Sequence, residues 1–199
     1  IKTLAENDKV SGVGDGKFNP DGTVTRAEFL KMAMDSFGIV GHAYRDGECL
    51  DATNDDWYCY YLQGALDKDI IPKEMIENCN VTKVTKTLAE ATDDKEAVTT
   101  DVNVYTGKFD GDKPITREEM AAIAVRCKNY KMRRLTDWDN ERRYPIFSFK
   151  DSDEIDEKYI SDVVEAYNLN YIDGMEDGRF APKENLTRAQ AAVVMNNLK

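Results

Sequence analysis

Gly16-Lys17-Phe18-Asn19-Pro20-Asp21-Gly22-Thr23-Val24-Thr25-Arg26-Ala27-Glu28 returns twice in altered form. The second copy is Gly107-Lys108-Phe109-Asp110-Gly111-Asp112-Lys113-Pro114-Ile115-Thr116-Arg117-Glu118-Glu119. The third is Gly178-Arg179-Phe180-Ala181-Pro182-Lys183-Glu184-Asn185-Leu186-Thr187-Arg188-Ala189-Gln190. In all three the Thr stands seven positions after the Phe. An offset kept three times marks an internal repeat, and a repeat governs the fold reading before any single element does.

Each copy predicts a glycine-shaped loop followed by a capped helix. Asn19-Pro20-Asp21-Gly22 is a turn sequence. After Thr25, residues Phe29, Met32, Ala33, Ser36 and Phe37 recur at helical spacing, and Gly38 is a stop. Thr25 with Glu28, Thr116 with Glu119, and Thr187 with Gln190 each have the spacing of a capping box. A first helix is expected over 57–66 and again over 159–167, and residues 1–9 resemble the tail of another.

The interval from Arg26 to Arg117 is about 20 residues longer than that from Arg117 to Arg188. This places an insertion at about 72–104, with a short helix at 73–77 and a Thr/Val-rich, extended stretch over 81–100. The predicted organisation is repeat 1 over 1–41, incomplete at its start, and repeat 2 over 42–130. A basic linker over 131–148 then leads to repeat 3 over 149–199.

Acidic residues outnumber basic ones 38 to 27, for a net charge of −11, which argues against nucleic acid or an anionic membrane as partner. No apolar run reaches membrane-spanning length, so no membrane insertion is expected. Cys49, Cys59, Cys79 and Cys127 show no CxxC pair and no histidine at zinc spacing, and three disulfide pairings stand open. Counted as a calcium loop from Asp15, the chain fails at positions 3, 6 and 12. Neither metal nor cofactor is expected. His42 is the one histidine and no G-x-S-x-G occurs, so the chain reads as non-catalytic.

These residues resemble the S-layer homology domain in three tandem copies. The Gly-x-Phe-x-Pro step and Thr-Arg-Ala-Glu match best at Gly16 to Pro20 and Thr25 to Glu28. Tyr44-Arg45-Asp46 and Phe149-Lys150-Asp151 resemble the family's aromatic-x-Asp opening, and Trp57 its early tryptophan. The aspartates of that opening are expected to cap or staple the first helix. The resemblance implies a mostly α fold: three helix-loop-helix repeats in a pseudo-threefold arrangement, their first helices forming a central bundle. It also implies an extracellular module on a bacterial surface, binding an anionic, often pyruvylated cell-wall polysaccharide. A protein-interaction or spacer role on the same fold is the alternative.

The candidate ligand contacts are Arg26, Arg117 and Arg188, the loop glycines Gly16, Gly107 and Gly178, and Trp57. A planar guanidinium fork suits a carboxylate, and unpaired N–H groups at a helix start add anion affinity. Capping requires the threonines but not the arginines. An ion pair between repeats is the other reading of the arginines. On the ligand reading, replacing Arg26 or Arg188 by Ala is expected to weaken polymer binding with little change in Tm.

Overall fold

The signature copies fold alike because each helix start is completed by a neighbouring copy. The computed structural model describes residues 17–41, 50–53, 55–89, 98–132 and 149–198. In chain order these hold α1 (Arg26–Ser36), α2 (Cys59–Asp67), β1 (Glu77–Ala89), β2 (Val98–Lys108), α3 (Arg117–Met132), α4 (Ile160–Asn168) and α5 (Arg188–Asn197). Short 3-10 turns lie at Lys73–Met75, Ser152–Glu154 and Glu157–Tyr159. We number the signature copies with their helices as units 1, 2 and 3.

All three capping boxes form. The Thr25, Thr116 and Thr187 hydroxyls accept from the N3 amides of Glu28, Glu119 and Gln190 at 3.2, 3.4 and 3.2 Å. The N3 side chains accept in return from the threonine amides. This satisfies one of the N–H groups that a helix start leaves open. Neighbouring units satisfy the next two. Arg26 N–H donates to Lys113 O (2.9 Å), Arg117 N–H to Glu184 O (3.0 Å) and Arg188 N–H to Gly22 O (2.8 Å). Ala27, Glu118 and Ala189 donate likewise to Gly111, Pro182 and Pro20.

One residue before each Thr, the chains meet in a closed ring. Val24 N–H donates to Leu186 O, Ile115 N–H to Val24 O, and Leu186 N–H to Ile115 O, at 3.0, 3.0 and 2.9 Å. All three side chains are buried. Three isolated bridges accompany the ring: Thr23 with Thr187, Thr25 with Pro114, and Thr116 with Asn185.

Helices α1, α2 and α4 end alike. Gly38, Asp69 and Asn170 turn left-handed, with φ of 61°, 53° and 55°. The next amides, of Ile39, Ile70 and Tyr171, reach back to Met34, Ala65 and Ala166 at 2.8–2.9 Å. This is the Schellman geometry. Gly38 is therefore the stop that the sequence predicts.

The core lies around α3, where Met120, Ala121, Ala122, Ile123, Ala124 and Val125 are fully enclosed. Helix α4 packs on α3, α2 packs on α1, and α1 also touches α3 and α5. The first helices of units 2 and 3 thus lie on the second helix of the preceding unit. The start of the β pair is anchored by buried Ile76 and Tyr105, the Tyr105 hydroxyl reaching Leu66 O at 3.4 Å.

The structure corrects the expectation of a mostly α fold of three helix-loop-helix repeats in a pseudo-threefold arrangement around a central bundle of first helices. β1 and β2 form a long antiparallel ribbon, pairing Val81 with Tyr105, Lys83 with Asn103 and Thr87 with Thr99. The Thr/Val stretch has strand propensity and cross-strand partners for it, so the insertion folds as β structure. The fold is a helical assembly with a β hairpin. Its centre is the ring of backbone bonds beside α3, not a bundle of α2 and α4. Residues 1–16, with the expected helix tail and Gly16, lie outside the described residues, as do 42–49 and, of the basic linker expected over 131–148, residues 133–148; 131 and 132 end α3.

Truncating the ring centre is expected to destabilise all three units together. Ile115→Ala removes a fully buried side chain and should lower unfolding stability by about 3 kcal/mol, read as a single shifted transition in urea.

Candidate binding seams

The arginines line the seams between units. Arg26, which is 6% exposed, reaches from unit 1 into unit 2. Its Nη1 donates to Phe109 O (2.6 Å) and Met75 O (3.4 Å). Its Nε and Nη2 grip both carboxylate oxygens of Glu119. Arg117, 4% exposed, reaches from unit 2 into unit 3, donating to Phe180 O (2.7 Å) and Asp173 O (2.8 Å). Arg188 is half-buried and closes the cycle onto unit 1, its Nε donating to Phe18 O at 2.8 Å. Each guanidinium also lies over the ring of the phenylalanine whose carbonyl it bonds, at 5.9, 5.1 and 5.1 Å from the centroid. Burial pushes the Arg117 guanidinium below its ordinary pKa, while Glu184, Asp151 and Asp173 draw it back.

This geometry gives the arginines a folding role that sequence reasoning withheld from all but the ion-pair alternative. It also closes the helix starts as anion sites. The N1 and N2 amides donate to loop carbonyls and the N3 amide to a threonine, so the first three N–H groups are taken.

The glycines are set by backbone geometry. Gly107 has φ of 132°, and a Cβ there would stand 2.7 Å from Glu77 O. Gly178 has φ of 85° and carries the Lys150 side chain against it. Trp57 is 53% exposed, edge-on to Tyr58 at 5.7 Å. Tyr58 lies against Gly111, whose carbonyl accepts from Ala27. Trp57 therefore borders the seam between units 1 and 2.

The phenylalanines are followed by a left-handed residue in every copy: Asn19, Asp110 and Ala181, with φ of 51°, 56° and 57°. In units 2 and 3 an aspartate clasps this bend. Asp151 Oδ1 and Oδ2 accept from the Phe180 and Ala181 amides at 2.7 and 2.8 Å. Asp51 does the same for Phe109 and Asp110 at 2.8 and 3.0 Å. Asp151 is thus a loop clasp and caps no helix. Its counterpart is Asp51, which the sequence reading missed in favour of Asp46, a residue outside the described set. Distance to the following helix identifies it: Asp51 and Asp151 precede α2 and α4 by nearly equal intervals, whereas Asp46 stands five residues too early.

Unit 2 also carries an acid where the other copies have Ala27 and Ala189. Glu118 is 3% exposed, and burial raises its pKa against the pull of Lys183. Its Oε1 accepts from Lys183 Nζ at 2.6 Å and its Oε2 from the Asp156 amide at 3.1 Å. Lys183 also pairs with Asp156 at 2.6 Å, tying the unit 3 loop to α3.

Two substitutions test these contacts. Arg26→Ala leaves the Glu119 carboxylate buried without its cation and should cost about 3 kcal/mol, seen as a clear fall in Tm. Lys183→Ala should cost about 1–2 kcal/mol at pH 7, less than a fully buried pair because Lys183 is half-exposed. That loss should shrink as pH falls through the carboxylate range, because a protonated Glu118 no longer needs the ammonium. Urea unfolding at pH 7 and at pH 4 checks the sign.

Residues 1–30 and 148–192 match the family model of the S-layer homology domain. Over its whole length the chain is 32% identical to an amylopullulanase of Thermoanaerobacterium thermosulfurigenes and 32% identical to the exoglucanase XynX of Acetivibrio thermocellus. It is 30% identical to an endoglucanase of Bacillus sp. (strain KSM-635). It spans 9%, 15% and 17% of those proteins, respectively. Among the described residues no helix is long and apolar enough to cross a membrane. The matched segments bracket the first and third signature copies, and with them the seam closed by Arg188. Over residues 1–30 and 148–192 the chain thus matches the S-layer homology domain, a family whose domains anchor proteins at the cell surface.

Proposed function

We propose that this region is a non-catalytic anchor that holds a longer exported protein to an anionic, pyruvate-bearing cell-wall polysaccharide. The polymer engages the seams between units, where the signature arginines supply positive charge and Trp57 an exposed ring for a sugar face. The observation that carries this reading is the placement of a guanidinium in every seam of a chain whose net charge is −11. An acidic protein that sets an arginine at each of three corresponding seams suits a carboxylate-bearing repeat polymer. The relatives' names, an amylopullulanase, an exoglucanase and an endoglucanase, support a polysaccharide-degrading enzyme as the longer protein.

The β ribbon favours a second reading, a protein partner. Val84 and Val98 are exposed at 38% and 53%, and each strand has an edge with no strand neighbour among the described residues. Exposed strand edges are places where another chain can add.

Sedimentation with purified cell wall separates the two. The anchoring reading expects the chain to pellet with intact wall and to stay in solution once the wall polymer is stripped. A variant in which residues 82–104 are replaced by Asn-Gly, joining the paired Val81 and Tyr105, should pellet as fully as the parent. Binding to stripped wall, or loss of binding with the ribbon, would favour the protein partner.

A further inference from the structure

A basic cleft lies at the C-terminal ends of α1 and α3, opposite the ends that carry their signature arginines. Along the helix axes it stands about 16 Å from Arg26 and about 21 Å from Arg117. Its volume is about 430 Å³. Its walls are residues 38–41, which follow α1, with Lys68 at the C-cap of α2 and Tyr130 and Lys131 from the last turn of α3.

Both cations of the cleft come from helix ends. A Cβ built on the left-handed Gly38 would stand 3.8 Å from Lys131 Nζ, so this ammonium lies over the turn that ends α1. Lys131 is exposed, and among the described residues its side chain makes no ion pair and no hydrogen bond. Lys68 is half-buried, its Nζ 5.8 Å from the centroid of the Tyr130 ring. Burial pulls the Lys68 ammonium below its ordinary pKa, while Asp67 draws it back; Asp67 Oδ1 also accepts from the Gln63 side chain at 3.0 Å. No carboxylate is among the described residues that line the cleft. The last carbonyls of a helix attract cations, which accounts for a lysine at a helix end. It does not account for two ammonium groups on one cleft without an anion between them, in a chain whose net charge is −11.

We infer that this cleft binds a phosphate group, with Lys68 and Lys131 as its cations and the Tyr130 hydroxyl as a further donor. An ammonium is a compact point charge with three rotatable donors, and two of them match the charge of a phosphate, whereas the planar fork of arginine suits a carboxylate. The cleft has room for a phosphate and the small polyol or sugar that carries it. Ile39 and the exposed Val40 offer apolar wall to that carbon skeleton. The site is separate from the arginine seams, and it stands whether or not those seams hold a polymer.

The test is an NMR titration of 15N-labelled chain with inorganic phosphate and with a poly(glycerol phosphate) oligomer, using sodium chloride at equal ionic strength as the control. Phosphate should move the Gly38, Gly41 and Lys131 amide signals where chloride does not. Lys68→Gln and Lys131→Gln should each weaken binding about tenfold, and the double variant should show no site-specific shifts. Tighter binding of the oligomer than of inorganic phosphate assigns the cleft to a phosphodiester polymer; equal or tighter binding of inorganic phosphate assigns it to a small free phosphate. Either result supports the inference. Shifts that chloride reproduces, or that persist undiminished in the folded double variant, overturn it. A wild type that ignores both phosphates, with a lowered Tm in the double variant, leaves the lysines to the helix ends alone and overturns it as well. Should the double variant fail to fold, Lys131→Gln decides in the same way, because its side chain is exposed.

Discussion

Three backbone hydrogen bonds, linking Val24, Ile115 and Leu186 in a closed cycle, set the terms for everything around them. A helix start carries N–H groups that need acceptors. Here each start finds them in the loop of another unit, so no unit is complete alone. The cycle brings residue 24 to residue 186 and ties both to the start of α3, the most enclosed helix of the chain. The capping boxes are local devices that any isolated helix could use. The ring is the non-local device that makes three helix starts into one structure.

The seams follow from the ring. Once each helix start is pinned to its neighbour's loop, the first side chain of the helix must cross into that neighbour, and in all three units it is an arginine. Arginine suits the place because its five donors can bond main-chain carbonyls while its plane lies on the phenylalanine ring. Unit 2 carries two acids at its helix start, Glu118, which has no counterpart in the other copies, and Glu119, and each is answered across a seam, by Lys183 and Arg26. These pairs distinguish the seams chemically although their backbone geometry is shared. The anchoring role proposed above would be laid over a framework whose arginines already serve folding.

Sequence carried the local part of this well. The Phe-to-Thr spacing marked three loops, the threonines and their N3 partners marked three helix starts, and Gly38 marked a helix end. What it could not show is where a helix-start amide or an arginine finds its acceptor, because that acceptor lies up to 170 residues away. The arginines therefore looked unexplained by folding until Phe18, Phe109 and Phe180 came into view as their acceptors. The ribbon was legible as extended chain but not as a reason to revise a mostly α fold, since strand pairing depends on a partner stretch. Asp51 was hidden by a better-looking aromatic-x-Asp at 44–46, a case where local pattern outweighed spacing to the following helix.

The closed ring binds the three units into one cooperative structure. Native-state hydrogen exchange of the Val24, Ile115 and Leu186 amides tests that cooperativity. All three amides are expected to exchange only through global unfolding, with one opening free energy that equals the stability measured in denaturant. Exchange of any one of them through a cheaper, separate opening, with the other two still protected, would contradict it.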